Sequence, residues 1–183
     1  RDASDPSSLA APVPDYLACI DGADLGSRMG IFRRIEGVDP GIEATFERFV
    51  QRASLRYGAG VAVSFDALDT CYVMADILSK VEAAALHGQW MREQPGNYTQ
   101  AVFSRTEPGL HVPAVRYVEA LNVRASVLRE FLHGPMAGVD VLFCPTVPVP
   151  VPTIVDADME SPGRVFGVVA QLTRLTRPFN YLG

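Results

Sequence analysis

The sequence predicts an α/β fold in which a mixed, largely central β-sheet is layered by helices. Two observations predict it. A short apolar strand, an amphipathic helix and a second apolar strand follow one another within about forty residues, which is the size of a βαβ unit. A later strand, DVLFC at residues 140–144, is apolar at every position after Asp140, as is typical of a strand covered by helices on both faces.

The βαβ unit begins with the strand SRMGIF at residues 27–32. Asp39 and Pro40 then predict a helix start, because aspartate caps the first backbone N–H groups and proline loses no hydrogen bond in the first turn. Apolar residues recur at helical spacing until Gly58 ends the helix. The second strand is GVAVSF at residues 60–65.

Three further segments carry apolar residues at helical spacing. They are Ala67–Arg92, Pro113–Leu132 and Gly163–Leu175. GNYT at residues 96–99 interrupts the chain after the first of them, and TRPFNYLG at residues 176–183 predicts a rigid turn that carries aromatic side chains. We find no internal repeat and no second core, so residues 1–183 are predicted to form one domain or part of one.

The third strand leads into the proline-rich run PTVPVPVP at residues 145–152. Prolines cannot donate hydrogen bonds to a neighbouring strand, so the chain must leave the sheet near Pro145. In open α/β sheets, ligands bind beyond the carboxyl ends of the strands. The run therefore predicts one wall of a pocket, with Thr146 and Pro148 as candidate substrate-binding residues.

Composition and charge limit which binding partners and which cellular compartment the sequence predicts. The 183 residues include 48% hydrophobic residues, and the net charge of −5 comes from scattered acidic and basic side chains. This pattern predicts no nucleic-acid partner and no anionic membrane partner, and no apolar run is long enough to cross a bilayer. Three widely spaced cysteines without CxxC spacing favour a reducing cytoplasm over a disulfide framework or a zinc site.

The residues that most often carry chemistry give no catalytic prediction in this chain. His87, His111 and His133 have no partner at metal-ligand spacing, and no phosphate-binding glycine loop is present, so we expect neither a metal nor a cofactor. GxSxG is absent. Cys144 is interpreted as a buried apolar residue and Lys80 as a solvated charge on a helix, since those are the commoner roles.

Six segments, taken in order, resemble the amidase signature family. They are RDASDP (1–6), LGSRMGIF (25–32), KVEAAALHGQWMREQPGNYTQAV (80–102), SRTEPGLHVPAVRYVEALNVRASVLREF (104–131), DVLFCPTVPVPVP (140–152) and TRPFNYLG (176–183). The most distinctive feature is a helical Tyr117 and Arg124 followed by an aspartate, an apolar strand and Pro-Thr-x-Pro. The likeness covers nearly the whole chain.

The resemblance implies an amidase that acts on a small-molecule amide through a serine, a cis-serine and a lysine. In that family the lysine deprotonates the cis-serine, which relays the proton from the nucleophilic serine, and backbone N–H groups stabilise the oxyanion. The family's Gly/Ser-rich signature and its lysine lie upstream of the segment that begins here at Arg1. We therefore expect residues 1–183 to be an interior to C-terminal portion of a bacterial amidase, with no catalytic residue and no activity alone.

The same resemblance matches Arg105, in SRTEPG, with an arginine that contacts a substrate carboxylate in the glutamine-dependent members, although an ordinary surface role stays open. Two other functions also stay open. One is that of the glutamine-dependent tRNA amidotransferase subunit which passes ammonia to a misacylated tRNA, and the other is that of a non-catalytic α/β binding domain. The segment around Trp90 looks more like free-standing amidases and allophanate-type hydrolases. A homodimer is a further open possibility.

Overall fold

The computed structural model describes residues 2–4, 8–22, 28–33, 35–158 and 162–183. These residues form three β-strands and seven α-helices, which confirms the α/β class. In chain order the elements are α1 (Tyr16–Gly22), β1 (Met29–Phe32), α2 (Pro40–Tyr57), β2 (Val61–Val63), α3 (Leu68–Glu93), α4 (Gln100–Thr106), α5 (Ala114–His133), β3 (Val141–Phe143), α6 (Pro162–Thr173) and α7 (Arg177–Leu182).

The described strands form one parallel sheet in the order β2-β1-β3. Gly30 of β1 lies opposite Val61 on one side and Leu142 on the other. The predicted βαβ unit is confirmed, because β1 and β2 pair in parallel with α2 between them. The chain then returns to the other side of β1, so the carboxyl ends of β1 and β3 meet at a point where strand order reverses. Ser27, the predicted first residue of this unit, lies outside the described residues.

Helix α2 begins and ends where the sequence predicts. The Asp39 carboxylate accepts hydrogen bonds from the backbone N–H of Gly41 at 2.8 Å and of Ile42 at 3.3 Å. Pro40 occupies the first turn, where its missing N–H is not needed. Gly58 follows the helix at φ 82°, a backbone conformation that other residues rarely adopt.

Helices cover both faces of the sheet. Met29 and Ile31 point to one face, where they form a buried cluster with Val50 and Ala53 of α2. Side chains alternate along a strand, so Phe32 points to the opposite face. There it belongs to a second buried cluster, which also contains Phe65, Cys71, Ala75, Val127, Tyr181 and Leu182. The layered arrangement predicted from the sequence is therefore present.

Helix α3 is the longest element, with 26 residues, and it packs against α5, α7 and a 3₁₀ turn at Glu107–His111. The contact with that turn is very close: a Cβ added to Gly109 would lie 2.0 Å from the carbonyl oxygen of Lys80. Helix α7 is tied to α5 because the Tyr181 hydroxyl donates a hydrogen bond to the Ala120 carbonyl. Within the described ranges, no helix combines the length and the apolar character needed to span a membrane.

Two short helices differ from the prediction. Within residues 176–183, Arg177–Leu182 form helix α7 rather than only a turn, since Pro178 stands in the first turn, where a helix tolerates proline. Helix α4 follows the predicted break, and the hydroxyl of Thr99 caps it by accepting a hydrogen bond from the Val102 backbone N–H at 3.3 Å. Both helices have seven residues or fewer, which is too short for an apolar repeat to show.

Candidate functional site

The three predicted substrate-binding residues lie in two different parts of the fold. Arg105 stands in α4, whereas Thr146 and Pro148 follow β3. Arg105 lines a cavity among helices, and Thr146 lines a groove at the end of the sheet. The two places differ in chemistry.

The apolar groove lies beyond the carboxyl end of β3 and has a volume of about 350 Å³. We define it by Ile42, Phe46 and Phe49 of α2 together with Phe143, Cys144 and Thr146. The ring centroids of Phe49 and Phe143 are 5.1 Å apart, and those of Phe46 and Phe49 are 6.3 Å apart. Such spacing is favourable for aromatic pairs. The groove thus offers phenyl surfaces that can hold a ring or an alkyl chain.

Cys144 is the one thiol in the wall of the apolar groove, and its environment does not activate it as a nucleophile. The thiol donates a hydrogen bond to the Pro145 carbonyl at 3.3 Å. Burial raises the pKa of the Cys144 thiol to about 11, so the group stays protonated and uncharged at neutral pH. The interpretation of Cys144 as a small apolar residue agrees with this environment, although its side chain is only partly buried.

Pro148 is buried, and its main chain holds the end of the sheet together. Its carbonyl accepts a hydrogen bond from the backbone N–H of Asp39 at 2.8 Å. Asp39 belongs to the loop after β1, so this bond joins the loops that follow two neighbouring strands. The predicted contacts of Thr146 and Pro148 with a substrate stay predictions.

The second site is a cavity of about 470 Å³ between α3, α4, α6 and the start of α7. We call it the cationic cavity and define it by its four charged side chains: Asp76, Lys80, Arg105 and Arg177. Tyr72 of α3 and Ala170 of α6 form part of its wall, and the Tyr72 hydroxyl donates to the Ala170 carbonyl at 3.3 Å.

Asp76 holds two of the three cations in place. The Lys80 ammonium, one helical turn further along α3, donates to Asp76 Oδ2 at 2.6 Å. The Arg177 guanidinium donates to Asp76 Oδ1 at 2.8 Å and stacks 4.6 Å from the centre of the Tyr72 ring. Among the described residues, the Arg105 side chain has no hydrogen bond or ion pair. Three positive charges and one negative charge leave the cavity with two positive charges.

Only part of the cationic cavity could be found from the sequence. The spacing of Asp76 and Lys80 by four residues indicates an ion pair on one helix face. Lys80 is nevertheless not the freely solvated charge that was predicted, because its side chain is only 31% exposed and lines the cavity. Arg177 was missed, since it joins Asp76 across 101 residues of sequence and no local pattern marks that contact.

In the described part of the chain, no three His, Cys, Asp or Glu side chains are grouped so that they could hold a metal ion. His87 instead contacts the Tyr98 hydroxyl at 3.1 Å, and His111 contacts Glu107 at 2.8 Å. These contacts are ones that structural or surface histidines make.

The fold places the chain in a class of α/β proteins that includes amidases. A solved structure described as an amidase superposes with a TM-score of 0.69 at 20% identity, over 86% of this chain and 36% of that protein. A second structure was solved in a study of a vestigial protein complex and the origins of an s-triazine catabolic enzyme. It superposes with a TM-score of 0.76 at 20% identity, over 100% of this chain and 39% of its own.

Sequence relatives agree with this likeness. An amidase of Pseudomonas putida is 28% identical over 185 aligned residues, which cover 100% of this chain and 40% of the relative. A glutamyl-tRNA(Gln) amidotransferase subunit is 28% identical in Azorhizobium caulinodans and 31% identical in Myxococcus xanthus, each over 81% of this chain. No family model matches the chain. These homologues confirm the resemblance to the amidase signature family, and the chain spans about two fifths of the amidase's length.

Proposed function

We propose that this chain is part of an amidase that hydrolyses a carboxylic amide to an acid and ammonia. The observation that carries the proposal is the similarity to a protein named amidase along 100% of the chain. Because the chain spans 40% of that relative, the proposal assigns the serine, cis-serine and lysine to sequence outside these 183 residues. On their own, these residues would supply the body of the enzyme and part of its substrate pocket.

Arg105 is the residue that we propose to bind the substrate. Its guanidinium lines the cationic cavity and has no partner among the described residues, so its donors are available to a ligand. A guanidinium presents two parallel N–H groups that match the two oxygens of a carboxylate. The proposed substrate is therefore an amide that also carries a carboxylate. Thr146 is proposed as part of the wall of the apolar groove, and the buried Pro148 as the residue whose main chain holds that wall in place.

The activity is tested on the longer protein that contains these residues together with a Gly/Ser-rich segment upstream. We expect ammonia release from carboxylate-bearing amides, and we expect Arg105→Gln to raise KM for them by about tenfold while KM for neutral amides changes little. Arg129→Gln on the exposed part of α5 is the matched control. Absence of hydrolysis with every amide tried would contradict the proposal and favour a non-catalytic binding domain.

A second experiment tests whether the catalytic residues lie outside these 183 residues. We expect the purified 183-residue chain to release no ammonia from acetamide or benzamide, because the described residues of the two sites include no activated nucleophile. Turnover by the pure chain would show that catalytic residues lie within it.

A component of a glutamine-dependent amidotransferase is the second candidate, because several relatives carry that name. An assay that adds glutamine, misacylated tRNA and the remaining components of such an enzyme distinguishes this candidate from the amidase. Transfer of ammonia to the tRNA would favour the amidotransferase, whereas release of free ammonia without the tRNA would favour the amidase. Under either function we propose a cytoplasmic protein, and sedimentation of the purified protein would decide whether it forms a homodimer.

A further inference from the structure

The cationic cavity carries more positive charge than one carboxylate can neutralise. Asp76 offsets one of its three cations, and no other acidic side chain among the described residues lines it. The Arg177 side chain is 17% exposed and that of Lys80 is 31% exposed, so water screens these charges less than it screens a surface pair. A ligand that enters the cavity therefore meets two uncompensated positive charges.

Neighbouring groups do not remove this excess. An adjoining cavity of about 340 Å³ shares Arg105 and Arg177 and adds Glu82 and Arg124. The charges of those two added residues cancel each other. Glu82 also accepts a hydrogen bond from the Tyr117 hydroxyl at 3.3 Å, on the side of α5.

Lys80 and Arg177 can bind a ligand without leaving Asp76. Each donates one hydrogen bond to Asp76, whereas a lysine side chain has three N–H groups and an arginine side chain has five. Their positions are fixed by Asp76 and by the ring of Tyr72, so little side-chain freedom is lost when an anion binds. Asp76 is thus a positioning residue that holds two cations at one side of the cavity, while α4 brings Arg105 to it.

We propose that the cationic cavity binds an amide with two carboxylates. As a substrate of the proposed reaction it must carry a primary amide, –CO–NH2, because only a primary amide releases ammonia; N-acetylaspartate, whose secondary amide would release an amino acid, serves below only as a binding probe. Arg105 pairs with one carboxylate, and Lys80 and Arg177 pair with the other. Two negative charges balance the two positive charges, whereas a monocarboxylate leaves one of them unpaired. The volume of about 470 Å³ lies in the range of small-molecule sites. Treating this ligand as the substrate rests on the proposed function, but its binding requires no catalysis.

The test compares four probes by titration calorimetry at low ionic strength, with the longer protein that contains these residues. N-acetylaspartate carries two negative charges, N-acetylglycine one and N-acetylglycinamide none, and inorganic phosphate serves as a compact anion. We expect N-acetylaspartate to bind about tenfold more tightly than N-acetylglycine, the neutral amide not to bind, and added salt to weaken binding. Equal binding of the two acids, or phosphate binding as tightly as N-acetylaspartate, would overturn the proposal.

Variants show which side chains carry the selectivity. Lys80→Gln is expected to weaken N-acetylaspartate about tenfold and to leave N-acetylglycine almost unchanged, whereas Arg105→Gln weakens both. Arg129→Gln is the control, and circular dichroism checks that each variant is folded. Unchanged selectivity in folded Lys80→Gln would also overturn the proposal. If the protein binds N-acetylaspartate selectively but hydrolyses no amide, only the proposed function fails. If it hydrolyses neutral amides but binds N-acetylaspartate no more tightly than N-acetylglycine, only this inference fails.

Discussion

The apolar groove and the cationic cavity are built in contrasting ways. The groove lies at the end of the sheet and is lined by phenyl rings and a thiol that stays neutral. The cavity lies among helices and is lined by one acidic and three basic side chains. The groove can therefore select for shape and hydrophobicity, whereas the cavity selects for charge. The difference teaches that a pocket expected at the strand ends need not contain the charged groups that recognise a ligand.

The two sites also depend on different parts of the fold. The groove needs the pairing of β1 with β3, which sets Met29 opposite Val141 across most of the chain. The cavity needs the close approach of α3 to its neighbouring helices, which Gly109 permits. Substitutions can therefore disturb one site and spare the other.

The largest effect is expected from Gly109→Ala, which disturbs the helices around the cationic cavity. The added methyl group would lie 2.0 Å from the Lys80 carbonyl oxygen, and backbone cannot move aside cheaply. We expect the free energy of unfolding to fall by about 3 kcal/mol, measured by chemical denaturation. Gly96→Ala is the matched control, because no atom lies within 4 Å of its added Cβ. Similar decreases in the free energy of unfolding for both variants would show that the close packing of Gly109 on α3 does not cause the effect.

A smaller loss is expected from Phe143→Ala in the apolar groove. This change removes a partly buried ring that packs against Phe49, so we expect the free energy of unfolding to fall by about 2 kcal/mol. Leu55→Ala, at a side chain that is 91% exposed, should cost almost nothing. Binding of N-acetylaspartate should be unchanged in Phe143→Ala. A marked loss of that binding would mean that the two sites form one pocket.

The smallest effect concerns Cys144 and requires no change of sequence. Its thiol has a pKa raised from 9.0 to about 11 by burial, and only the thiolate reacts with iodoacetamide. The alkylation rate of Cys144, followed by peptide mass spectrometry, should therefore keep rising until about pH 11. Fully buried Cys71 should stay unmodified in the folded protein. A midpoint near 9.0 for Cys144 would show that the groove is wetter than the structure indicates.

The sequence predicted the long elements well because their signals are local. The caps at Asp39 and Gly58 and the apolar repeats of α2, α3 and α5 place those helices to within about two residues, since they depend only on neighbours along the chain. The short helices α4 and α7 carry no full apolar repeat, and tertiary packing decides them. Arg105 could be singled out because its local segment resembles a known family. The contact between Asp76 and Arg177 could not be predicted, because it joins residues 101 positions apart.

The backbone hydrogen bond between Asp39 and Pro148 constrains how such chains can be recombined. It joins two turns that lie in different halves of the sequence, and it uses main-chain atoms, so the bond itself does not depend on the side chains at the two positions, provided that position 39 keeps a backbone N–H. What must match is the length and path of both turns, because a buried amide or carbonyl left alone is costly. A chimera of two relatives that takes one turn from each parent must therefore keep the turns compatible, however similar the residues in them are.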